Sequence, residues 1–109
     1  MANTFKLKTK ANVGVTTVGI YTAPASTTTV VIGITMSNTS GSGVNVGVGI
    51  TRAGTTEDVK LLKNAPIPQG SSLEFMAGNK IVLEETDTVT VDSDTNNSVD
   101  AALTIMEIK

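Results

Sequence analysis

The sequence has no cysteine, no histidine and no tryptophan, and its only aromatic residues are two Phe and one Tyr among 109 positions. Without cysteine there are no disulfides, no thiolate nucleophile and none of the usual structural zinc sites; without histidine the commonest general base and transition-metal ligand is missing. Most familiar enzyme mechanisms are closed to such a chain, and no catalytic residue, metal site or cofactor is expected. With so few aromatics the core must be built from Val, Ile, Leu and Met. No apolar run approaches the roughly 18 residues that span a bilayer, and no basic segment followed by an apolar stretch resembles a secretory signal. The expectation is a soluble product made inside a cell, without a membrane partner.

Acidic residues are absent from the first 56 positions, which carry Lys6, Lys8, Lys10 and Arg52, whereas residues 57–109 hold ten Asp or Glu against four Lys. Four basic residues without interleaved aromatics are too few for a nucleic-acid groove. Oppositely charged halves are expected to pair as neighbouring strands within one fold.

What the chain has in abundance is branching at Cβ: 18 Thr, 13 Val and 8 Ile. Such side chains restrict χ1 and suit a pleated surface, so the chain reads as all-β, and its length is that of one domain over residues 1–109. FKLKTK at residues 5–10 alternates Phe5, Leu7 and Thr9 with Lys6, Lys8 and Lys10, the pattern of a strand with lysines toward water. Val18 and Ile20 mark a second strand ending before Pro24. The face Val30, Ile32, Ile34, Met36 and, after a polar turn at residues 38–43, the face Val44, Val46, Val48, Ile50 predict a long hairpin. A short strand over Val59 to Leu62 leads into APIPQG, whose two prolines predict a crossing between sheets. Leu73 and Phe75 are expected in the core, Gly78-Asn79 in a tight reversal, and Ile81 to Leu83, Val89 to Val91 and Val99 to Ile105 in further strands. Eight or nine short strands separated by turn signals predict a β-sandwich, immunoglobulin-like or jelly-roll.

Three polar clusters could carry chemistry. Asp92, Asp94 and Asn96 alternate as in a calcium loop, but the bidentate acid at position 12 would be Leu103 and the glycine position holds Asn97, so a polar turn is the better reading. Glu84, Glu85 and Asp87 offer paired carboxylates, with no sign of the burial that would separate their pKa values. The glycosylation triplets at Asn38 and Asn96 likewise read as turns.

The ordered series Tyr21-Thr22-Ala23-Pro24, Thr27 to Gly33, Asn38-Thr39, Leu62 to Glu74, Gly78 to Glu84 and Ile105 to Ile108 resembles a family of small virion structural proteins of tailed bacteriophages, particularly marine and cyanobacterial ones. The resemblance implies a non-enzymatic virion component. A capsid decoration or cement protein on the major-capsid lattice comes first, then a tail, neck or fibre-base protein; a carbohydrate-binding module in host recognition is a third possibility, for which three aromatics are few. Partners would be the major capsid protein or other virion proteins, with self-association and a location in the virion. The candidate interface comprises Lys6, Lys8 and Lys10 on one strand and the flat, lightly charged face from Asn45 to Thr51 on another.

Overall fold

The computed structural model describes residues 3–54, 58–76 and 80–109. These form nine strands and, among the described residues, no helix: β1 (Asn3–Val13), β2 (Val18–Thr22), β3 (Thr28–Asn38), β4 (Val44–Thr51), β5 (Asp58–Ile67), β6 (Ser72–Phe75), β7 (Ile81–Leu83), β8 (Thr88–Ser93) and β9 (Val99–Ile108). They make two antiparallel sheets, one ordered β1-β9-β3-β6 with β7 also paired to β3, the other β2-β8-β4-β5. Strands β6 and β7 lie end to end along the same side of β3, so they act as two pieces of one strand. Early and late strands alternate within each sheet, and this order is that of a jelly roll rather than an immunoglobulin domain.

Alternation explains the core. Val46, Val48 and Ile50 of the four-stranded sheet and Val31, Ile34, Leu103 and Ile105 of the five-stranded one are buried in a single cluster, each side chain contributing roughly 1.5–3 kcal/mol of transfer free energy. Tyr21 is the one aromatic among the buried residues.

The expected β3–β4 hairpin does not form, because the two strands belong to opposite sheets. Both carry an apolar face, and setting them across the core lets each bury it against the other, which side-by-side pairing cannot do. Asn38 makes the crossing. It is buried, its amide donates to the carbonyls of Ser42 (2.8 Å) and Ile67 (2.9 Å), and its Oδ1 accepts the Ser40 N–H.

Strand β3 also departs from strict alternation. Its pairing with β9 shifts between Val31 and Gly33, so the inward set becomes Val31, Ile34 and Met36, while Val30 and Ile32 are only half-buried. One inserted residue exchanges the faces.

Strand β5 runs further than expected, through Pro66 to Ile67. It tolerates the proline because it is an edge strand. The predicted crossing between sheets follows it, closed by a turn with Gly70 at φ 73° and the Ser71 N–H donating to the Pro68 carbonyl. The reversal expected at Gly78-Asn79 lies outside the described residues. Leu73 and Phe75 are half-buried against the core margin rather than within it, since β6 is the short outer strand of its sheet.

Candidate docking surfaces

Strand β1 is a sheet edge, and its register with β9 sets Phe5 opposite Met106 and Lys6 opposite Ile105. Ile105 is buried, so the lysine side of β1 is the inward one. Phe5 and Leu7, expected in the core, stand 69% and 65% exposed. The cause is a buried acid. Glu107 on β9 is almost wholly enclosed, and Lys6 reaches it from the edge strand, Nζ to Oε1 3.0 Å, with the rest of its side chain lying along the margin of the sandwich. Glu107 Oε1 takes no hydrogen bond of good geometry and is neutralised by that ammonium. Its Oε2 accepts the Tyr21 hydroxyl at 2.7 Å, and the same hydroxyl lies 2.8 Å from Thr29 Oγ1. The hydrogen bond from Tyr21, with help from Lys6, holds Glu107 below the usual carboxylate range, whereas burial and the neighbouring carboxylate push the Tyr21 phenol up to about 12. Lys8 and Lys10 make no ion pair among the described residues.

The candidate face on β4 is neither flat nor lightly charged. Asn45 is exposed and Thr51 half-buried, but Gly47 and Gly49 between them are buried beneath neighbouring side chains. Lys60 on β5 lies 3.0 Å from Asp58 and 3.6 Å from Asp92 of β8, and this hydrogen-bonded pairing with Asp58 raises the lysine pKa. The missing Cβ atoms make room for this cluster. A Cβ on Gly49 would lie 2.9 Å from Asp58 Oδ1 and 3.0 Å from the Val59 carbonyl, and one on Gly47 2.6 Å from Asp92 Oδ1.

The polar clusters are structural. Asp92 accepts the Thr17 hydroxyl and Asp94 the Asn45 N–H, and the described residues contain no group of three or more acids placed to hold a metal ion. Asp87, read from sequence as part of a solvated loop, is buried. Burial alone would raise its pKa, but the N–H groups of Ala53 and Glu84 and the Arg52 guanidinium outweigh it and hold the carboxyl low. Arg52 also pairs with Glu84. The pairs Lys6–Glu107, Arg52–Glu84 and Arg52–Asp87 thus join the basic first half to the acidic second, as the charge distribution predicted.

The surface that sequence reasoning missed is the outer face of the five-stranded sheet. Phe5 stands opposite Met106, Met106 opposite Val30, and Val30 opposite Val82, a row of apolar side chains crossing the sheet from one edge to the other. Each belongs to a different strand, and the alternation in β1 taken alone assigned Phe5 to the core. Only the register reveals the row.

No protein-family model matches the sequence, and no curated protein matches it significantly. Solved structures share the fold. A chain of the acid-stable capsid of Helicobacter pylori bacteriophage KHP30 superposes with a TM-score of 0.58 at 11% identity, covering 98% of this chain and 87% of that one. A chain of the disulfide-linked pili of Bacillus endospore appendages gives 0.56 at 18% identity, covering 96% and 85%. A chain of infectious bursal disease virus gives 0.56 at 12% identity, covering 95% of this chain and 32% of that longer one. At such identities the likeness is one of fold: a jelly roll similar to those of a phage capsid, a pilus and an icosahedral virus.

Proposed function

We propose that this chain is a non-enzymatic structural component of a virus particle, and specifically a decoration or cement protein bound to the major-capsid lattice of a tailed phage. The observation that carries the reading is the jelly roll itself, which matches a phage capsid chain over nearly the whole of both chains. The polar groups support it, because the acids that could have served chemistry are engaged in holding loops: Asp87 caps the turn after β7 and Glu107 closes the margin beside β1. The pili of the second neighbour are disulfide-linked, and this sequence has no cysteine with which to copy that linkage. A sugar platform is poorly served, since Tyr21 is buried and Phe75 half-buried, leaving Phe5 as the exposed ring. The interface toward other virion proteins would include Lys8 and Lys10, which make no ion pair among the described residues, together with Asn45 and Thr51 at the ends of the β4 face, Lys6 being occupied by Glu107.

The test is quantitative mass spectrometry and cryo-EM of the particles produced where this chain is expressed. Density on every capsomer at lattice copy number supports decoration. A ring of few copies at the vertex places the chain in the tail or neck, and absence from purified particles overturns the virion reading altogether.

A further inference from the structure

The sheet edges are not equivalent. Strand β2 is five residues long, β5 carries Pro66 and two register shifts, and β6 and β7 are four and three residues. Strand β1 instead keeps an unbroken register with β9 from Asn3 to Lys10, so its outer N–H and C=O groups form a regular template for one more strand. The two sides of that template differ. Phe5 and Leu7 stand exposed on the outward side, whereas Lys6, Lys8 and Lys10 lie on the inward side, toward β2 of the other sheet. A cleft of about 450 Å³ opens at this margin, lined by Lys10, Val15 and Val18 among others. Lys6 is held by Glu107; Lys8 and Lys10 make no ion pair among the described residues.

We propose that an extended acidic segment of another protein adds to β1 as a further strand of the five-stranded sheet. The two sides of β1 set its alternation: Asp or Glu opposite Lys8 and Lys10, a neutral residue opposite Lys6, and apolar residues opposite Phe5 and Leu7. Main-chain hydrogen bonds give the affinity, and the lysines choose the occupant. Antiparallel pairing with a second copy's β1 sets lysines against lysines, and parallel pairing sets them against Phe5, Leu7 and Thr9, so neither supplies a counter-charge. The other edges of this chain do no better. Strands β2 and β7 have no acid, β5 carries Lys60 and Lys63 beside Asp58, and β6, with Glu74, is too short to cover the template. The same lysines that guard the edge against self-pairing therefore admit an acidic strand. The proposal deepens the virion reading by giving the chemistry of a partner, and rests on that reading only for where the partner is met. Peptide binding is read on the isolated chain and particle composition on the virion, so either can fail without the other.

The probe is the blocked peptide Glu-Thr-Glu-Val-Thr-Val-Thr-Ser, whose antiparallel alignment sets its acids opposite Lys10 and Lys8 and its valines opposite Leu7 and Phe5. In an NMR titration of the 15N-labelled chain, shifts are expected at the β1 amides with a dissociation constant of about 1 mM or below. Raising salt from about 50 to about 300 mM should weaken binding about threefold. The peptide with Lys in place of both Glu should bind at least about tenfold more weakly, and Lys8→Glu with Lys10→Glu should reverse that preference, thermal unfolding checking that the variant folds. Should it not fold, the two peptides on the wild-type chain still decide the matter. No shift at β1 up to about 5 mM acidic peptide, equal binding of the two peptides, or shifts confined to other strands overturns the proposal and leaves the lysines as edge guards only. Shifts of the β1 amides with protein concentration alone would overturn it too, since a second copy would then occupy the edge.

Discussion

The Lys6 ammonium lies 3.0 Å from Oε1 of Glu107, a surface strand supplying the counter-charge to a carboxylate enclosed by the sandwich. This pair turns β1 over, exposing Phe5 and Leu7, and it separates Lys6 from the two lysines beside it.

Lys6→Glu should therefore be far more damaging than the same change at Lys8 or Lys10. Removing one member of a buried pair costs about 3–5 kcal/mol; with the Lys6 side chain 38% exposed, the lower end applies, about 3 kcal/mol. Lys8→Glu and Lys10→Glu should each stay near the 0.5 kcal/mol typical of surface changes. Urea midpoints of the three single variants check this, and equal losses at all three positions would show that Glu107 does not depend on Lys6.

The acid limb of stability follows from Glu107 and Asp87. Both carboxyls are held below their ordinary values in the folded chain, so the unfolded chain binds protons first as pH falls. Their contribution is present above the usual carboxylate pKa of about 4 and is lost as pH drops through the lower folded values. Tyr21 acts with the opposite sign, since its raised pKa gives stability that is complete below 10 and lost as pH rises toward about 12. Urea midpoints against pH should fall at both ends, and Tyr21→Phe should flatten the alkaline limb.

Leu103→Ala should cost about 2–5 kcal/mol, the range for emptying a fully buried aliphatic site, and Phe75→Ala less than that, about 1–3 kcal/mol, despite the larger side chain. Leu103 is completely buried on the central strand β9, whereas Phe75 is half-buried on the short outer strand β6. Denaturation of the two variants side by side gives the order directly.

Thr86 has φ 66°, a conformation unfavourable for a β-branched residue, and it sits in the turn where its N–H donates to the Ala23 carbonyl and Asp87 N–H to that of Glu84. Its side chain is exposed, so Thr86→Gly removes strain while keeping the turn hydrogen bonds. A gain of about 1 kcal/mol is expected, read as a rise in thermal midpoint. A fall would mean that the flexibility of glycine in the unfolded chain outweighs the strain.

Much of the fold was legible in the sequence. Branched residues at every second position, punctuated by Gly, Pro and Asn, specify strands and turns because each signal is local: β4 and β9 bury the side chains that alternation predicts. The all-β class and the crossing after Ile67 followed from the same local chemistry. Alternation tells which side chains share a face, however, and not which face turns inward.

That choice belonged to the tertiary structure. In β1 two faces compete, Phe5 with Leu7 against Lys6 with Lys8, and residue hydrophobicity favours the first; the buried Glu107, distant in sequence and adjacent only through pairing with β9, reverses it because an enclosed carboxylate without a cation costs more than two exposed apolar side chains. In β3 a single shift of register exchanges the faces midway. The apolar row from Phe5 to Val82 draws one residue from each of four strands, so it exists only once the register of every pair is set. Composition and periodicity determined that the chain would be a sandwich of strands. Long-range pairing decided which side chains that sandwich presents to a partner.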